Sequence, residues 1–256
     1  MARILNSLDP GFENVFRSLL AEQRSTVHEV DGVVTSVLDD VRLRGDAALL
    51  DCTERFDGIR LGDEEIRLSA DEIEAACSEC DRASLDALKF ASHRIEEFHR
   101  RQMPETVSYT DEVGVELGAR WRPIDAVGLY VPGGSAAYPS SVLMNAIPAR
   151  IAGVSRVAMT VPAPDRRIEP LVLAAAQVSG VGEIYRVGGA QAIGALAYGT
   201  NTIAPVDKIV GPGNAYVAAA KRQVFGVVGI DMIAGPTEVL IVADAANDPS
   251  WIAIDL

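Results

Sequence analysis

Four residues carry side chains suited to holding a polar ligand, and all four sit where a short apolar run meets a glycine or proline turn: Tyr130, Gln191, Asn214 and Thr237. The turns are Val131-Pro-Gly-Gly-Ser135, Val161-Pro-Ala-Pro164, Val187-Gly-Gly-Ala-Gln191, Val210-Gly-Pro-Gly-Asn214 and Ala234-Gly-Pro-Thr237. Tyr130 offers a ring to stack on and a hydroxyl, or else packs into a core. Gln191 and Asn214 stand at expected helix starts, where an amide either caps the helix or reaches a ligand. Thr237 is likewise a cap or a hydroxyl contact. In a parallel α/β sheet the carboxyl ends of the strands share one edge, so such turns converge on one crevice. Glycine there lets a backbone N–H approach a ligand, and the following helix N-terminus favours negative charge. A nucleotide or another anionic small molecule is the leading candidate for that crevice.

Residues able to break bonds are scarce beside these. The three histidines, His28, His93 and His99, lie far in sequence from the turns. Glu96-x-x-His99 could share a metal on one helix face, but metal centres take three or four ligands and no others are evident. Cys77-x-x-Cys80 lies within an expected helix without a second ligand pair, so it reads as packing. Gly-x-Ser-x-Gly is absent, as is Gly-Lys-Ser/Thr; Gly211-x-Gly213 is followed by Tyr216 where a dinucleotide fingerprint has its third glycine. The pattern is a ligand crevice with no evident general base and no metal ligands of its own.

The elements that must position these residues follow from periodicity. Val30, Val34, Val37 and Val41 recur at helical spacing up to Gly45, and a second helix covers about 47–56. Ser69-Ala-Asp-Glu72 is a capping-box pattern opening a helix that runs to about Gln102 with a break near Asp81. Alternation through Val113, Val115 and Leu117 predicts a strand or hairpin over 107–121. From Val127 the order is strand 127–131, helix 140–152, strand 156–161, helix 169–178, strand 183–187, helix 191–198, strand 208–210, helix 214–224 and strand 229–232. That alternation predicts a parallel sheet with right-handed crossovers. Pro148 predicts a kink or an early end in its helix. A further strand over 238–243 and a helix from Asp248-Pro249-Ser250, with nothing after them, read as the opening of another α/β unit, so the chain reads as truncated.

Composition sets the outer bounds. The 256 residues carry a net charge of −13 and three cysteines. Residues 1–126 hold 27 acidic against 15 basic side chains, residues 127–256 only 9 against 8. Phosphate-backbone binding needs clustered Lys and Arg, so an acidic first half argues against nucleic acid or an anionic membrane as partner. Apolar stretches end well short of the ~20 residues a membrane helix needs. The start lacks an apolar signal core, and the few cysteines fit a reducing compartment, which together read as a cytoplasmic protein.

Gly128-Leu-Tyr-Val-Pro-Gly-Gly134, Val187-Gly-Gly-Ala-Gln-Ala-Ile193, Val210-Gly-Pro-Gly-Asn214 and Asp231-Met-Ile-Ala-Gly-Pro-Thr-Glu238 together closely resemble the histidinol dehydrogenase family. Arg44-Gly-Asp-Ala-Ala-Leu49 and Arg55-Phe-Asp-Gly58 are similar to that family's N-terminal region, and the resemblance spans essentially the whole chain. It implies an α/β, aldehyde-dehydrogenase-like fold with an incomplete Rossmann-type parallel sheet and an N-terminal helical region. Residues 1–125 would form the helical region and hairpin connector, 126–236 the Rossmann-like domain, and 237–256 the start of the return into the first domain. The activity implied is NAD-dependent oxidation of L-histidinol to L-histidine through the aldehyde, using two NAD⁺ and zinc, by a cytoplasmic homodimer. Tyr130, Gln191 and Asn214 would contact NAD and Thr237 the substrate. The family's zinc ligands and its Glu-His base would begin beyond Leu256, so the resemblance implies a polypeptide inactive alone. A related polar-alcohol dehydrogenase, such as a sulfopropanediol dehydrogenase, and a non-catalytic nucleotide-binding module are the alternatives.

Overall fold

A computed structural model describes residues 5–133, 138–234 and 239–255, with the side chains of 18–29 and 255 left aside. Helix α1 (Phe12–Arg44) stops at Gly45, whose N–H bonds to the Val41 carbonyl, and α2 (Asp46–Asp57) stops at Gly58. Ser69 and Glu72 form the reciprocal capping box of α3 (Ala70–Ser78). Asp81 then caps α4 (Arg82–Arg100) by accepting from the Ser84 N–H, so the expected break is a clean division into two helices. The hairpin β1 (Val107–Thr110) and β2 (Glu116–Ala119) is antiparallel. Val113 and Val115 lie in its turn rather than in a strand, because Asp111 accepts both of their N–H groups.

The glycine-punctuated part gives β3 (Ala126–Tyr130), α5 (Pro139–Ile151), β4 (Arg156–Thr160), α6 (Pro170–Ser179), β5 (Glu183–Tyr185), α7 (Gly189–Tyr198), β6 (Lys208–Val210), α8 (Ala215–Val224) and β7 (Gly229–Ile230). The five strands β3 to β7 form one parallel sheet in the order β5-β4-β3-β6-β7. Counted from β3 this is 3-2-1-4-5, the order of a doubly wound nucleotide-binding sheet, in which the chain reverses direction between its first and fourth strands.

Alternation along β3 divides the core. Val127, Leu129 and Val131 face α5 and α6, backed by α3 and α4, with Leu143, Ile147, Met159 and Leu173. Ala126 and Tyr130 face α7 and α8, backed by α1 and α2, with Leu38, Leu49, Ile193 and Leu196. The β5 edge is covered by the preceding extended segment, where Leu68 N–H bonds to the Ile184 carbonyl and Arg186 N–H to the Ile66 carbonyl.

Two expectations need correction. Of the kink or early end expected at Pro148, the early end does not occur: α5 runs to Ile151, one residue short of the expected bound, and the Ala152 N–H reaches the Pro148 carbonyl at 2.9 Å. A proline in the last turn removes one ladder bond and leaves little helix beyond it to disrupt. Residues 239–243 form no strand; Val239, Leu240, Ile241 and Val242 are exposed and meet no neighbouring strand among the described residues. A β-prone run becomes a strand only where an edge accepts its hydrogen bonds. Helix α9 (Pro249–Asp255) forms as expected.

Candidate functional site

The carboxyl ends of β3, β4, β5 and β6 open into one cavity of about 730 Å³, within the range of small-molecule clefts. It spans the point between β3 and β6 where strand order reverses, and it exceeds the 570 Å³ groove between α1 and α2. Pro132 and Gly133 after β3, Pro162 and Pro164 after β4, Gly189 and Gln191 after β5, and Asn214 after β6 all line it. Four turns spread over residues 132–214 therefore meet in one place, and Tyr130, Gln191 and Asn214 meet with them. Thr237 lies outside the described residues.

Tyr130 is the last residue of β3 and only 3% exposed. Its hydroxyl accepts the N–H of Gly189 at 3.1 Å, which ties the end of β3 to the first turn of α7. Burial pushes its phenol above the ordinary value, the Gly189 amide opposes that, and the Asp57 carboxylate adds to it. The ring thus enters the cavity wall as a neutral group.

Gln191, in the first turn of α7, is 1% exposed, and its Nε2 has no hydrogen-bond partner among the described residues. A buried amide without a partner costs about 1–3 kcal/mol, and Gln191 carries that cost beside the cavity. α7 has no side-chain cap either, which leaves first-turn N–H groups and the positive end of its dipole beside the same space. Asn214 behaves differently. Its Oδ1 caps α8 by accepting from Tyr216 and Val217 at 3.0 and 3.1 Å, which leaves Nδ2 as the donor available to a ligand. Capping and ligand contact are compatible here because the two ends of one amide can serve them separately.

The opposite wall was not assigned from the sequence. It comes from α1, through Val33, Val34 and Val37, and from the end of α2, through Arg55, Phe56 and Asp57. Burial pushes the Asp57 carboxyl above its ordinary value. The sequence signals touching this wall are the Val34 and Val37 positions of a helical stripe, read as core, and the Arg55-Phe-Asp-Gly58 stretch, which periodicity treats as a helix end.

The candidate metal groups are elsewhere. Glu96 is taken by Arg100 and, at 3.1 Å, by Arg150, while the His99 ring stands edge-on to Phe98. Cys77 and Cys80 are free thiols packed against the α3–α6 side of the core. Among the described residues no group of three or more His, Cys, Asp and Glu is placed to hold a metal ion, so this donor set does not fit a zinc centre.

Fold and cavity together define an α/β protein with a ligand crevice at the switch point of a doubly wound parallel sheet. The family model for histidinol dehydrogenase matches residues 20–256. The histidinol dehydrogenase of Rhodospirillum rubrum is 63% identical over 252 residues, 98% of this chain and 58% of that protein. That of Ruegeria pomeroyi is 58% identical over 256 residues, 100% of this chain and 59% of that protein. The crystal structure of histidinol dehydrogenase from Elizabethkingia anophelis superposes with a TM-score of 0.82 at 41% identity, covering 88% of this chain and 52% of that one. The chain belongs to the histidinol dehydrogenase family. It spans about 58% of the length of the curated relatives it matches.

Proposed function

We propose that this chain supplies the dinucleotide-binding crevice of a histidinol dehydrogenase, the NAD- and zinc-dependent enzyme that oxidises L-histidinol through the aldehyde to L-histidine in the last step of histidine biosynthesis. Bound NAD⁺ supplies the hydride acceptor. Tyr130 presents its ring and orients the α7 turn through Gly189, Gln191 donates Nε2 to a cofactor acceptor, and Asn214 donates Nδ2 while holding the α8 N-terminus. Thr237 contacts the substrate. The donor groups among the described residues do not fit the zinc that this activity uses, and the functional unit is a cytoplasmic homodimer. The described cavity lining offers amides, aromatic rings and the Asp57 carboxylate, groups that bind and orient a cofactor.

The observation that carries this reading is the buried, unpartnered Nε2 of Gln191 in the cavity shared with Tyr130 and Asn214. Gln191→Met keeps volume and removes the orphan amide, so it leaves the unliganded protein as stable or more stable. It lowers NAD⁺ affinity by tenfold or more in calorimetric titration if the amide serves the cofactor. Unchanged NAD⁺ affinity in this variant, or zinc-dependent NADH formation from histidinol by the 256-residue chain, refutes the reading.

A further inference from the structure

The geometry points to Lys221 and Asp231 as positioning residues that clamp the Gly211–Asn214 turn in the shape the cavity requires. Neither lines the cavity. The inference rests on the reading of that cavity as a dinucleotide site. Lys221, on α8, is 4% exposed, an unusual place for an ammonium group. Its Nζ donates to the Gly211 carbonyl at 2.9 Å and pairs with the Asp231 carboxylate. Asp231 follows β7 and turns back: its Oδ2 accepts the Gly211 N–H at 2.8 Å, and its Oδ1 accepts the Met232 N–H at 2.7 Å. Both polar groups of Gly211 are therefore held by the two members of one ion pair.

Gly211 is the residue at which the chain leaves β6, and it lies hard against the backbone of Tyr130, where an added Cβ would sit 2.1 Å from the carbonyl oxygen. Three residues later Asn214 caps α8 and lines the cavity. The clamp thus fixes the separation of the Tyr130 and Asn214 walls. A buried ion pair is seldom the most stabilising filling for its volume, since desolvation offsets the Coulomb gain. Its value here is directional: two charged groups fix one peptide from both sides, which an apolar pair could not do.

The test uses the 256-residue chain, NAD⁺ titration by calorimetry, amide hydrogen exchange at Gly211 and urea unfolding. Lys221→Met and Asp231→Asn are compared with Lys221→Arg, which retains a cation, and with Leu143→Ala, a core truncation on the far face of the sheet. The clamp variants should bind NAD⁺ at least tenfold more weakly and exchange the Gly211 amide at least tenfold faster, with part of both restored in Lys221→Arg. Leu143→Ala should bind as the wild type does despite its loss of stability. Gly211 exchange within twofold of wild type in Asp231→Asn overturns the clamp, as does a loss of affinity in Leu143→Ala equal to that in Lys221→Met. Wild-type protein that binds no NAD⁺ overturns the cavity reading instead, and Gly211 exchange then decides the clamp by itself.

Discussion

Alanine at Gly211 asks for something the central strand of the sheet cannot give. Gly211 has φ +114°, and its ideal Cβ falls 2.1 Å from the Tyr130 oxygen and 3.1 Å from its carbonyl carbon. Tyr130 ends β3, which is bonded to β4 on one side and β6 on the other, so relief needs a shift of about 1 Å in backbone held from both sides. The conformational cost of a side chain at that φ is roughly 1–3 kcal/mol, and forcing the contact adds about 1–3 kcal/mol. Gly180→Ala is the internal control. Gly180 ends α6 at φ +82° with nothing within 4 Å of its added Cβ, so it bears only the left-handed cost of roughly 1–2 kcal/mol. Urea unfolding followed by far-UV circular dichroism, with m unchanged, reads both as shifts of the midpoint. Gly211→Ala should be the less stable by the contact cost, about 1–3 kcal/mol, and it should weaken NAD⁺ binding because Tyr130 moves. Equal midpoints for the two variants would falsify the claim that the β6 turn is set by contact with β3.

Two further substitutions probe elements away from the cavity. Arg156 forks onto Glu183 at 3.0 and 2.5 Å and also donates to the carbonyls of Ala204 and Pro205, tying β4, β5 and the approach to β6 together. Burial pushes the Glu183 carboxyl up, but the Arg156 fork and the Tyr185 hydroxyl outweigh it and hold it below its ordinary value. A lowered folded value means that this stabilisation is fully present above the ordinary glutamate range and is lost as pH falls through the folded value. Glu183→Gln should therefore cost about 1–3 kcal/mol at pH 7, and the difference from wild type should shrink on acidification; a constant difference down to acid unfolding refutes the ion-pair account. Ser69→Ala removes the acceptor of the Glu72 N–H in the α3 capping box and should lower stability by about 1 kcal/mol, read as a midpoint shift.

Local signals were legible wherever one residue type dictates one backbone state. Gly45, Asp81 and the Ser69–Glu72 box ended or began helices where the sequence placed them, because a cap acts within a few residues. The turns that line the crevice were visible as glycine and proline punctuation, and strand and helix alternation was enough to predict a parallel sheet. Expectations that depended on a distant partner fared differently. Residues 239–243 have strand-like composition and form no strand, because among the described residues no edge receives them. Lys221 reads in sequence as one more basic residue in the last turn of a helix, and only its burial beside Asp231 shows its role. For Asn214 the sequence left capping and ligand contact open, and the geometry assigns the oxygen to the cap.

The amino-acid sequence determined the family, the order of elements and the positions of the turns, since motif spacing, propensity and capping are written over a few adjacent residues. Tertiary structure decided which turns face one another, that α1 and the Arg55–Asp57 end of α2 close the cavity, and that Gln191 is buried with its Nε2 unpartnered among the described residues. Those facts depend on the sheet order β5-β4-β3-β6-β7 and on the face each helix presents to the sheet, which arise from contacts between residues far apart in the chain and leave no periodic trace in it.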